Sequence, residues 1–161
     1  MKVAIAACVV VCLASPTQGI GGSGRQSDTI EVDYEYRVVA RWLERNEVAL
    51  VESTGAQVIQ TAGSIVTLQK ETKRGLQVFR VKRRVSDGIY LASFVDRSEG
   101  ELTDYTYQIK LSSISNGRTQ IDITMSATAE KAYSVSVNVE LRRSIRGLRA
   151  FLQEHLRRPT H

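Results

Sequence analysis

Histidine, proline, cysteine and aromatic residues are all scarce in this chain of 161 residues: two His, two Pro, two Cys and 6% Phe, Trp and Tyr together. Both histidines, His155 and His161, stand at the C-terminal end. That placement argues against a Ser-His-Asp triad, a histidine metal cluster or a histidine general base. Cys8 and Cys12 both lie inside one apolar run, Val3 to Ala14. A chain that loses this run has no disulfide, no thiolate metal site and no cysteine nucleophile. No Gly-rich phosphate loop occurs, because "GIGGSG" has no strand before it and reads as a flexible spacer. Few aromatics and a formal charge of only +5 also argue against nucleic acid as a partner.

The apolar run is too short to cross a bilayer as a helix. It follows Lys2 and ends in small residues before Ser15-Pro16, the pattern of a secretory signal peptide. The expected division is therefore 1–19 signal peptide, 20–27 flexible leader and 28–158 a single domain. The expected destination is secreted or periplasmic. A buried N-terminal strand is the alternative for the same run.

What remains is 42% hydrophobic and 24% charged over the full chain, ordinary for a globular domain with one core. "TIEVDYEYRV" alternates, with Ile30, Val32, Tyr34 and Tyr36 on one face, and predicts a half-buried strand. Val38 to Ser53 changes to a helical period and predicts one broken helix or two short ones ending at Thr54-Gly55. Glycines then recur in turn contexts at Gly63, Gly75, Gly88, Gly100 and Gly117. The β-branched and aromatic runs between them predict a six-strand meander. Finally, Leu141, Ile145, Leu148, Leu152 and Leu156 form one stripe at about 100° per residue. The expected fold class is α+β: a curved antiparallel sheet of about seven strands around a long C-terminal helix, because only that helix is left to bury the apolar face of the meander.

This element order resembles the helix-grip or START-like superfamily (SRPBCC), which includes polyketide cyclase-like, coenzyme-Q-binding and pollen-allergen families. "VNVELRRSIRGLRAFLQEHL" is similar to the C-terminal helix of bacterial cyclase-like members, and "VARWL" stands where they carry their first short helix. Members commonly have a proline at the first strand-to-helix junction, where this chain reads Tyr36-Arg37-Val38. The resemblance implies a cavity between sheet and helix that holds a lipid or other hydrophobic small molecule; from the residues themselves no cofactor and no metal are expected. Placed on that fold, the cavity candidates are Tyr34, Trp42, Phe79, Tyr90, Phe94, Tyr105, Tyr107, Met125, Leu141, Ile145 and Leu148.

Several residues carry two readings. Tyr105 and Tyr107 share one strand face, either as cavity wall or as ordinary core with rim hydroxyls. On "LQVFRVKRRV", Arg83 has the parity of Phe79 and Val81 while Arg80 has that of Val78; each is either an anion partner or part of a solvated edge. On the central strand, Tyr90, Ala92 and Phe94 or Ile89, Leu91 and Val95 face inward. The leading functional expectation is an exported hydrophobic-ligand-binding protein without catalysis. A cyclase- or aromatase-like enzyme is the alternative. A third reading docks the helix arginines on an anionic membrane surface or an acidic partner.

Overall fold

The computed structural model describes residues 22–114, 117–131 and 134–157. The apolar run with Cys8 and Cys12, expected as the signal peptide, lies outside them.

Strand β1 (Ser23–Val32) leads into helices α1 (Tyr36–Arg45) and α2 (Glu47–Ser53), then strands β2 (Gln57–Ala62), β3 (Ile65–Thr72), β4 (Gly75–Ser86), β5 (Ile89–Glu99), β6 (Leu102–Ile114) and β7 (Arg118–Ala129), and helix α3 (Ser134–His155). The seven strands form one antiparallel sheet in the order β1-β7-β6-β5-β4-β3-β2. The meander and the helix that closes it are those expected.

Two boundaries differ from the sequence reading, both at the first strand. Ser23 to Ser27 pair with Thr128 to Thr124 of β7, so most of the expected leader is strand. These polar residues have no hydrophobic alternation to reveal them; their backbone completes the β7 ladder, and Gln26 Nε2 donates to Asn138 Oδ1 of α3 at 2.8 Å. Conversely, Tyr34 and Tyr36 alternate with Ile30 and Val32 but leave the sheet. The ladder ends at Val32–Thr119 because β7 begins one residue further, at Arg118.

Asn46 separates the two short helices, its amide and side-chain nitrogens both donating to the Trp42 carbonyl. Their buried faces carry Val39, Leu43, Leu50 and Val51. The turn between β4 and β5 shows why the glycine signals are reliable: Asp87 and Gly88 both have positive φ, 48° and 71°, the pair that a two-residue hairpin turn needs. Gly88 meets a second constraint, since a Cβ there would lie 2.1 Å from the Tyr36 hydroxyl. That hydroxyl donates to the Asp87 carbonyl at 2.6 Å and ties α1 to the turn.

The leucine stripe of α3 is buried along its whole length, with Leu148 and Leu152 fully covered. The helix starts earlier than its leucines suggest. "SVSVNV" alternates like a strand, yet Val137 lies one helical turn before Leu141 and extends the same stripe. On β5, Tyr90 and Ala92 face the core while Val95 is exposed, which settles the parity left open above.

Candidate functional site

The inward positions of β7 change size along the strand. Ile121, Ile123 and Met125 are fully buried and large; the next two, Ala127 and Ala129, are small. Beside them the sheet parts. The β5–β6 ladder ends at Ser93–Thr106, after which β5 continues along β4 to Glu99 and β6 follows β7 from Leu102. The first half of α3 lies over this opening.

The result is a cavity of about 270 Å³. Its apolar wall is Phe79, Leu102, Tyr105, Ala127, Ala129, Val137 and Leu141, and its polar groups include Lys70, Gln77, Glu101, Glu140 and Ser144. Hydrogen bonds hold the mouth in place. The Gln77 side-chain oxygen accepts from the amides of Glu101 and Leu102 at 3.0 and 3.2 Å, fixing the start of β6. Arg74 bridges the Glu101 carboxylate at 2.5 Å and the Lys131 carbonyl at 2.7 Å, joining the β3–β4 turn to the end of β7.

Among the described lysines Lys70 is half-buried, whereas Lys73, Lys82, Lys110 and Lys131 are exposed. Its Nζ donates to the Thr54 carbonyl at the end of α2, at 2.9 Å, and to Ser144 Oγ on α3. Burial lowers its pKa to about 8; Glu140 opposes that shift and Arg143 adds to it. One carboxylate oxygen of Glu140, Oε2, is buried with no hydrogen-bond partner among the described residues.

Of the eleven sequence candidates, Phe79, Tyr105 and Leu141 line this cavity. Phe94 stacks on Phe79 at 6.5 Å between centroids and backs the wall that Phe79 shares with Tyr105, whose ring lies 5.2 Å from it. Tyr107, Met125, Ile145 and Leu148 are buried in solid packing outside the lining. Tyr90 packs on Tyr107 at 5.4 Å, above the Glu47–Arg83 ion pair. Trp42 lies 5.8 Å from Phe151, in a cluster with His155 near the C-terminal end of α3. Tyr34 is partly buried, and its carbonyl accepts from Thr119 Oγ1 at 2.7 Å. Lys70, Glu140, Ala127 and Ala129 were not among the candidates; the step from Met125 to two alanines at alternate positions was the one legible signal for them.

Desolvation pushes the hydroxyls of Tyr90, Tyr105 and Tyr107 well above the ordinary phenol value. Around neutral pH they are hydrogen-bond donors and not bases. Two of the three arginines on β4 are partnered: Arg83 points inward to Glu47, and Arg80 pairs with Asp96 on the outer face, while Arg84 is exposed. On α3, Arg149 is held by Asp28 at 2.8 Å, which leaves Arg143 and Arg146 as the exposed arginines of that helix without a hydrogen bond or ion pair among the described residues. Among the described residues, no group of three or more His, Cys, Asp or Glu is placed to hold a metal ion, and no helix is long and apolar enough to cross a membrane.

No protein-family model matches the sequence, and no curated protein does. Solved structures do match in shape. A START superfamily protein from Mycobacterium smegmatis is 11% identical with a TM-score of 0.63, over 84% of this chain and 99% of that one. The Zhui aromatase/cyclase from Streptomyces sp. R1128 is 13% identical with a TM-score of 0.62, over 86% and 96%. The ginseng major latex-like protein 151 from Panax ginseng is 10% identical with a TM-score of 0.56, over 86% and 100%. Identities this low speak to architecture alone, and near-complete coverage of each relative means that no core element is missing. With its seven-stranded curved sheet, two short helices after the first strand and a long helix gripped at the end, the chain has the START-like, helix-grip fold.

Proposed function

We propose that the protein binds an apolar small molecule, or the apolar part of a lipid, in the cavity between the parted end of the sheet and the first half of α3. The carrying observation is a cavity of about 270 Å³ walled by Phe79, Leu102, Tyr105, Ala127, Ala129, Val137 and Leu141. That volume sits just under the ~300 Å³ at which drug-sized pockets begin. A compact ligand, or one end of a longer chain, therefore fits better than a whole sterol. Solved proteins of the same fold include one described as an aromatase/cyclase and one as a START superfamily protein, in keeping with a fold that can enclose a small molecule.

Titration with the neutral fluorophore N-phenyl-1-naphthylamine tests this. One saturable site is expected, weakened at least about tenfold when Ala127→Phe fills the cavity, a loss equal to roughly 1.4 kcal/mol of binding free energy. No saturable binding, or binding untouched by that substitution, overturns the proposal.

Cyclase-type catalysis has one observation in its favour: Tyr105 is a neutral phenol on the cavity wall, suited to donate to a substrate ketone. Its test is conversion, not mere retention, of a supplied ketone. Export rests on the apolar run Val3–Ala14, and intact mass after expression in a secreting host checks it: loss of about 14 to 22 residues is expected. Docking on an anionic membrane would fall to Arg143 and Arg146, whose joint reversal to Glu should then abolish sedimentation with acidic vesicles.

A further inference from the structure

Lys70 is placed by three elements at once. It lies on β3, its amine reaches across to the carbonyl of Thr54, the residue that follows α2, and to a hydroxyl on α3, and it lines the cavity together with Ser144 and Glu140. An ammonium nitrogen has three N–H directions. Thr54 O and Ser144 Oγ take two of them, and no described residue accepts along the third. When the group loses a proton, both remaining N–H bonds can stay on those acceptors, and the lone pair then takes the free direction. The Ser144 hydroxyl is itself oriented, donating to the Glu140 carbonyl at 2.9 Å.

We infer that Lys70 is a covalent capture site for apolar aldehydes or ketones entering this cavity. The inference rests on the ligand-binding reading above and names its ligand class. The neutral amine attacks the carbonyl carbon, forming a C–N bond as the C=O π bond opens onto oxygen, and one proton passes from nitrogen to that oxygen to give a carbinolamine. Loss of the oxygen as water, with one proton leaving nitrogen, gives an imine. No oxidant or reductant takes part, and the reaction reverses by addition of water. The buried Glu140 carboxylate, with an unpartnered oxygen, is the group positioned to relay the proton that departs with the water. The apolar wall supplies what such chemistry needs: it favours the uncharged amine and excludes the water that would hydrolyse the product. The charged groups nearest the amine are Glu140, which favours the ammonium, and Arg143, which disfavours it. Lys73, Arg74 and Glu101 stand at the cavity as well, with Arg74 and Glu101 paired to each other.

The test incubates the full chain with nonanal and sodium cyanoborohydride, which reduces an imine to a stable secondary amine, and maps the adduct by peptide mass spectrometry. At pH 7.5, labelling of Lys70 at least about tenfold faster than of Lys73, Lys82 and Lys110 is expected, since each unit of lowered pKa multiplies the free-amine fraction about tenfold. Acetaldehyde, which lacks the apolar chain, should lose that preference. Lys70→Met should abolish the fast adduct. If that variant fails to fold, the wild-type peptide map decides alone. Labelling of Lys70 no faster than of the exposed lysines overturns the covalent site. If the fluorophore still binds, the binding proposal stands without it.

Discussion

Tyr107 carries a buried hydroxyl with no hydrogen-bond partner among the described residues. Such a group meets a desolvation cost that no bond offsets. Tyr107→Phe removes the oxygen and keeps the ring against Tyr90, so urea unfolding should show a change within about 0.5 kcal/mol or a gain of up to about 1 kcal/mol. A loss above about 2 kcal/mol would mean the hydroxyl does have a partner. Lys70 makes a pH-dependent prediction at the same scale. Its folded pKa is about 8 and its ordinary value 10.5. Between those pH values the unfolded chain binds the more protons, so this residue makes stability rise with pH across the window; below pH 8 its burial cost is present in full. The stability of the wild type minus that of Lys70→Met should therefore increase from pH 8 to pH 10, with the buried tyrosines cancelling in the difference. A flat difference over that range would contradict the burial of the amine.

Gly147 shows how two elements constrain one position. In the middle of α3 it breaks a run of good helix formers, and by propensity alone Ala would be better by about 1 kcal/mol. A Cβ at Gly147 would, however, lie 2.2 Å from the carbonyl oxygen of Ser53, at the end of α2. The obstacle is backbone that cannot rotate away, so α2 would have to shift from the place where the next residue, Thr54, receives the Lys70 amine. Gly147→Ala should destabilise by about 1–3 kcal/mol despite its helix propensity, read as a lower urea midpoint. A gain would mean that α2 packs more loosely than this contact implies.

At the scale of the whole molecule, packing between sheet and helix is uneven. It is solid around Met125, Ile145 and Leu148, and open where β5 and β6 part over Ala127 and Ala129. Two substitutions of the same volume should separate the halves. Ala92→Phe, opposite Tyr107 in the solid part, should cost about 1–3 kcal/mol. Ala127→Phe should cost less than about 1 kcal/mol, because existing space takes the ring. Equal large losses would mean the cavity closes in solution.

The strands of the meander, their hairpin turns and the C-terminal helix were legible in the sequence, because each rests on a period or a dihedral demand that residues meet locally: β-branched runs, Asp87-Gly88, the leucine stripe. Among the candidate site residues, Phe79, Tyr105 and Leu141 were found because they fall on the inward parity of long, regular elements. The remainder depended on distance. Ser23 to Ser27 form a strand because β7 supplies a partner about a hundred residues away in sequence; Lys70 is half-buried because α2 and α3 converge on it; the cavity exists because two neighbouring strands leave each other beyond the Ser93–Thr106 pair. Local patterns select elements and the faces they bury. Where those faces fail to meet, and which charged group is caught in the gap, is set by contacts between residues far apart in the chain, and those exist only once the sheet has closed on its helix.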